Sequence, residues 1–139
     1  MEARAQFDGP EVPVFVRVAE ANGKIYLDLC RGSWQAAEID PTGWRVVDKP
    51  PVKFRRARGM LPLPLPERGG SLELLRQYVN PLLGGDEWVL LVAWLVASLH
   101  PAGPYPIFVL QGEQGSGKSL AARLLRALID PNVAPLRTV

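Results

Sequence analysis

The chain has 139 residues, a formal net charge of +2, 47% apolar and 22% charged side chains, the balance of a globular protein of one ordinary domain or two small ones. That charge excludes a global electrostatic pull toward nucleic acid or membrane. Cys30 is the only cysteine and His100 the only histidine, which excludes an intrachain disulfide and argues against a structural zinc site; a reducing cytoplasm is the expected location.

Met1–Gln6 lacks the apolar core of a signal peptide. From Val12 the chain reads as β-rich. Val12–Val18 and Ile25–Cys30 are runs of aliphatic, aromatic and β-branched residues separated by Asn22-Gly23, a strong hairpin signal. Trp34–Ile39 and Gly43–Val47 form a second pair around Asp40-Pro41-Thr42-Gly43, which suits a type I turn. Val52–Arg58 adds a further strand. Residues 1–58 are therefore expected to form two successive hairpins in a small antiparallel sheet, with Phe15, Tyr26, Trp34 and Trp44 filling one face. Within this half, Lys53, Arg55, Arg56 and Arg58 cluster around Phe54. Such a cluster suits a nucleic-acid backbone, DNA being the candidate partner, but the favoured reading is a solvated edge strand guarded by charge.

Residues 59–70 are rich in proline and glycine, with Pro62, Pro64 and Pro66 alternating with leucine, and read as an extended linker. Beyond it, in residues 71–139, the period becomes helical. Ser71 caps a helix to about Val79, and Asn80-Pro81 and Gly84-Gly85 break it. Asp86 then caps a helix from Glu87 to about Leu99, apolar nearly all round and so expected to be buried on several sides. Its apolar stretch, Trp88–Leu99, is broken only by Ser98 and is shorter than the roughly 20 residues that span a bilayer, so no membrane partner is expected. Prolines 101, 104 and 106 follow, then Ile107–Leu110, a short apolar run suited to a strand buried in a parallel sheet. A helix from Lys118 to Ile129 comes next, with Leu120, Leu124 and Leu128 on one face, and Asp130-Pro131 stops it.

Between that strand and that helix lies Gly112-Glu113-Gln114-Gly115-Ser116-Gly117-Lys118-Ser119, which matches G-x-x-x-x-G-K-[ST] at every fixed position. The glycines allow successive N–H groups to turn inward as an anion nest, and the helix start adds unpaired N–H groups and a positive dipole end. Lys118 is expected to reach the outer phosphates of a nucleoside triphosphate, and Ser119 to bind Mg²⁺. ATP with Mg²⁺ is the expected ligand. No apolar run ending in an acidic residue follows Ser119, so the sequence predicts binding without hydrolysis by this chain alone. No catalytic residue is identified. The fold class that emerges is α+β: a small hairpin region, then helices and the first strand–loop–helix unit of an incomplete α/β nucleotide-binding core.

The stretch from about Trp34 to Val139 resembles phage- and plasmid-associated P-loop ATPases of the primase–helicase type. The resemblance is carried by Gly43–Val47, Phe54-Arg55-Arg56, Gly59–Pro64, Trp88–Trp94, Gly103–Pro106, the glycine loop with Arg123–Arg126, and Asp130–Arg137. It implies the front part of an AAA-like, ring-forming helicase core of a mobile element. The partners it implies are a nucleoside triphosphate, DNA, and either further copies of the chain or a complementing ATPase half.

Overall fold

Asn22 and Gly23 both hold left-handed backbone, φ 55° and 70°, as a two-residue primed turn demands. In the computed structural model, which describes residues 10–79 and 85–136, this turn folds β2 (Val18–Ala21) back on β3 (Lys24–Asp28), with Val18 opposite Leu27 and Ala21 opposite Lys24. A second turn is closed by Asp40, whose carboxylate accepts hydrogen bonds from the Thr42 amide at 2.8 Å and the Thr42 hydroxyl at 2.5 Å. It joins β4 (Ala36–Asp40) to β5 (Gly43–Val47), and the four strands run in the antiparallel order β2-β3-β4-β5.

The two expected hairpins are present, but the first expected strand divides. Val18 opens β2, whereas Val14–Phe15 forms a separate strand, β1, that pairs in parallel with β6 (Lys53–Phe54). The break falls at Val16 and Arg17, where the Arg17 side chain turns inward and is nearly fully buried.

Side chains alternate between the faces of the sheet. One face carries Leu27, Ala37 and Val46, and its core is Leu29, Ala37 and Leu63. The other places Tyr26, Glu38 and Arg45 in a cross-strand row. The expected aromatic cluster does not form: Tyr26 and Trp44 lie on opposite faces, Phe15 belongs to the two-stranded sheet, and Trp34 is 53% exposed. Aliphatic residues fill the core instead.

The proline-rich segment does more than connect. Leu61 N–H donates to the Pro131 carbonyl at 2.9 Å and Leu63 N–H to the Leu29 carbonyl at 3.0 Å, and Met60 bridges to Asn132. The Leu63 side chain is 6% exposed. The segment thus straps the sheet to the chain that follows the last helix.

Three helices complete an α+β fold: α1 (Leu72–Val79), α2 (Gly85–Ser98) and α3 (Lys118–Ile129). The Ser71 hydroxyl accepts the Glu73 N–H at 3.2 Å, capping α1 as expected. Of the break expected between α1 and α2, residues 80–84 lie outside the described residues, and Gly85 opens α2. Helix α2 departs from the expected burial on several sides. Leu91 is fully buried, but Val89, Leu90 and Val96 are each more than half exposed, because no described element packs against that side.

The inward face of α3 is also shifted. Ala121 and Leu125 are buried while Leu120 and Leu128 are exposed, so the stripe that packs is offset by one residue from the expected leucine row. The contacts that Arg17 makes with Asp130 and Pro131 hold the end of the helix in this rotation.

Ile107–Leu110 is not the expected strand. No neighbour forms a ladder with it among the described residues, and without one the segment cannot be a buried parallel strand. Ile107 and Val109 point to solvent, while Phe108 and Leu110 are half-buried. Trp94 holds this stretch to α2, packing on Phe108 at 5.1 Å between ring centres and donating its Nε1–H to the Pro106 carbonyl at 2.9 Å.

Candidate functional site

The glycine loop lies on the surface, with Gly112 to Gly117 exposed and Lys118 half-buried. It closes on itself through the Ser116 N–H, which donates to the Glu113 carbonyl at 3.3 Å. Gly112 has φ 153°, and a Cβ there would lie 2.8 Å from the Ser116 hydroxyl oxygen, so only glycine fits without moving that side chain. Gly117 occupies the cap position of α3 in left-handed conformation, φ 82°, and no side chain caps the helix. The first N–H groups of an uncapped helix lack intrahelical partners and carry the positive end of its dipole.

The Lys118 ammonium folds back over this loop. It donates to the Gly112 carbonyl at 2.7 Å, the Glu113 carbonyl at 2.5 Å and the Ser116 hydroxyl at 3.0 Å. All three of its N–H groups therefore face loop oxygens. Gln114, Gly115 and Ser119 are exposed around it, Ser119 in the first turn of α3. The structure thus gathers the expected residues Gly112–Ser119 in one surface turn at a helix N-terminus.

At its other end α3 meets a buried guanidinium. Arg17 donates to Asp130 Oδ1 from Nε at 3.0 Å and from Nη2 at 2.8 Å, to the Asp28 carbonyl at 3.1 Å and to the Leu61 carbonyl at 3.2 Å. This node was not foreseen in the sequence, where Arg17 stands inside an apolar run with no marker of its role. A cavity of about 730 Å³ opens beside it, lined by Phe15, Trp94, Phe108, Leu125 and Arg126 among others, and none of residues 112–119 reaches it.

The basic cluster is only partly a surface feature. Lys53, Arg55 and Arg58 are exposed, as a nucleic-acid contact or a guarded edge requires. Arg56 is not: its Nε donates to Asp28 Oδ2 at 2.9 Å, its Nη2 to Asp28 Oδ1 at 2.7 Å and its Nη1 to the Arg31 carbonyl at 2.5 Å. Asp28 is fully buried, and a buried carboxylate demands such a partner. The hydrogen bonds to Asp28, helped by its charge, hold the guanidinium pKa above the ordinary arginine value. Arg56 thus serves as the internal counter-ion of Asp28, unlike its exposed neighbours Lys53, Arg55 and Arg58.

On the charged face of the sheet, Glu38 accepts from the Lys24 ammonium at 2.8 Å and the Tyr26 hydroxyl at 3.0 Å, and pairs with Arg45. The Lys24 hydrogen bond, followed by that from Tyr26, holds the Glu38 carboxyl below its ordinary pKa, and the same Lys24–Glu38 bond raises Lys24. Among the described residues no group of three or more His, Cys, Asp or Glu could hold a metal ion, and no helix is long and apolar enough to cross a membrane.

Neither the curated proteins nor the solved structures contain a match to the chain. Residues 73–139, a stretch that holds most of α1, all of α2 and α3 and the glycine loop, match the family model of the actinomycete integrative conjugative element replication protein, so just under half of the chain is similar to a mobile-element replication protein.

Proposed function

We propose that Gly112–Ser119 binds the phosphates of a nucleoside triphosphate, ATP with Mg²⁺, in a replication protein of a mobile element. The observation that carries the reading is the Lys118 ammonium gathered over a glycine turn at an uncapped helix N-terminus. A phosphate chain entering this turn would meet the first amides of α3 and the positive end of the helix dipole, both suited to a polyanion. Lys118 exchanges its contact with the Ser116 hydroxyl for a phosphate oxygen, and keeps the loop carbonyls as supports. Ser119, one residue on, offers its hydroxyl to the metal. The similarity of residues 73–139 to a replication family supports a role in DNA replication of the element. The P-loop ATPase resemblance supports ATP as the nucleotide, a helicase-like motor as the setting, and assembly with further copies or a complementing ATPase half.

The act proposed for this chain is binding. Turnover needs an acidic side chain to organise the metal and the attacking water, and none is proposed here. Binding of a fluorescent ATP analogue in the presence of Mg²⁺ tests the reading. Lys118→Ala and Gly112→Ala are each expected to weaken it at least tenfold, the first by removing the charge and the second by the clash with Ser116. Far-UV circular dichroism should remain unchanged in both, since the loop is exposed. Equal affinity in wild type and Lys118→Ala refutes the assignment.

A further inference from the structure

Trp34 is the most exposed of the described tryptophans, yet it is firmly held. Its backbone has φ 58°, and Cys30, at the start of the same turn, has φ 53°. A bulky residue with positive φ is an outlier that its surroundings must enforce. The turn is closed by the Trp34 N–H donating to the Arg31 carbonyl at 3.0 Å, and Cys30 N–H donates to Asp28 at 2.9 Å. The Arg56 guanidinium lies 3.9 Å from the Trp34 ring centre. That guanidinium is itself fixed by Asp28 and by the Arg31 carbonyl. The ring therefore rests on a rigid backing, with just over half of the residue facing solvent.

The segment that carries Arg56 is basic. Arg55 is exposed next to Arg56, Lys53 and Arg58 are exposed on the same segment, and Arg31 is half-exposed in the turn. Arg56 adds little net charge, because Asp28 neutralises it. The arrangement combines a flat, preorganised aromatic surface with separate cations that carry no internal ion pair among the described contacts.

We infer that Trp34, backed by Arg56, is a stacking platform for an unpaired base of single-stranded nucleic acid, whose phosphates are met by Arg31, Lys53, Arg55 and Arg58. Charge complementarity selects the polyanion, and the ring selects for bases free to leave a duplex. The site is independent of the nucleotide reading at Gly112–Ser119.

Fluorescence anisotropy of a short labelled oligonucleotide at low salt tests it, with single-stranded DNA, single-stranded RNA of the same sequence, the DNA duplex, and an abasic strand of equal length as the four probes. The single strands should bind more tightly than the duplex and the abasic strand, and the comparison of DNA with RNA identifies the natural source. Trp34→Ala should weaken single-strand binding by about 5- to 150-fold, as expected for losing one stacked base, while leaving the salt dependence unchanged. Trp34→Phe, which keeps a ring, should recover most of the loss. Arg55→Gln should instead flatten the salt dependence. The inference is overturned by equal binding of the abasic strand, by preference for the duplex, by no binding at low salt, or by full affinity in a Trp34→Ala protein whose circular dichroism is native.

Discussion

Replacing Arg17 by methionine removes one guanidinium that joins three separate parts of the chain. The side chain is 7% exposed and donates to Asp130, to the Asp28 and Leu61 carbonyls and, at 3.5 Å, to that of Pro131. Methionine keeps most of the buried stem, so the loss is chiefly polar. A buried carbonyl left without a donor costs about 1–3 kcal/mol, which applies in full to the Asp28 carbonyl and in smaller part to the part-buried Leu61 carbonyl, both at ordinary hydrogen-bond distance from Arg17. Asp130 is 40% exposed and can turn to water, so its stranded charge adds little. The expected destabilisation is therefore about 2–4 kcal/mol, a fall in melting temperature of about 6–12 °C for a chain of this size. Asp130→Asn leaves Arg17 with its carbonyl acceptors and is expected to cost under about 1.5 kcal/mol. Urea denaturation followed by circular dichroism measures both. A loss below about 1 kcal/mol for Arg17→Met, or a larger loss for Asp130→Asn, refutes the view that the backbone carbonyls carry the energy.

Leu63→Ala, in the proline-rich segment, should cost about 2–4 kcal/mol by chemical denaturation because it opens a cavity against Leu29 and Ala37, whereas a free linker would tolerate it. Acid stability should depend on Glu38. Its pKa is depressed in the fold, so its contribution is complete above the ordinary glutamate range and is lost as the pH falls through the depressed value. In Glu38→Gln the acid limb of a pH–stability profile should flatten, and an unchanged limb contradicts the assignment. Lys24 has the opposite sign. Its raised pKa makes its contribution vanish as the pH rises through that value, so Lys24→Met should flatten the alkaline limb.

Much of the local structure was legible because local chemistry dictates it. Asn22-Gly23 and Asp40-Thr42 name their turns by conformation and side-chain acceptor, and the Ser71 cap and Asp130-Pro131 stop bound two helices closely. The parallel pairing of Val14–Phe15 with Lys53–Phe54 joins segments far apart in sequence and leaves no periodic trace. Leu63 reads as linker because prolines flank it, yet the same fixed φ angles hold it against the sheet. Arg56 reads as surface charge because its partner, Asp28, is twenty-eight residues away. At the glycine loop, residue spacing specifies both composition and the start of α3 at Lys118, while the neighbouring run Ile107–Leu110 depends on strand partners that a local pattern cannot supply.

Asp28 is held at two points by two different arginines: Arg17 on its carbonyl and Arg56 on its carboxylate. One of these runs on to Asp130, just beyond the end of the loop-bearing helix, the other to the indole of Trp34. The residue thus works as a shared hinge-pin whose two attachments answer to different changes: a side-chain substitution would free Arg56 and with it the backing of a distant indole, while the backbone oxygen gripped by Arg17 survives any replacement.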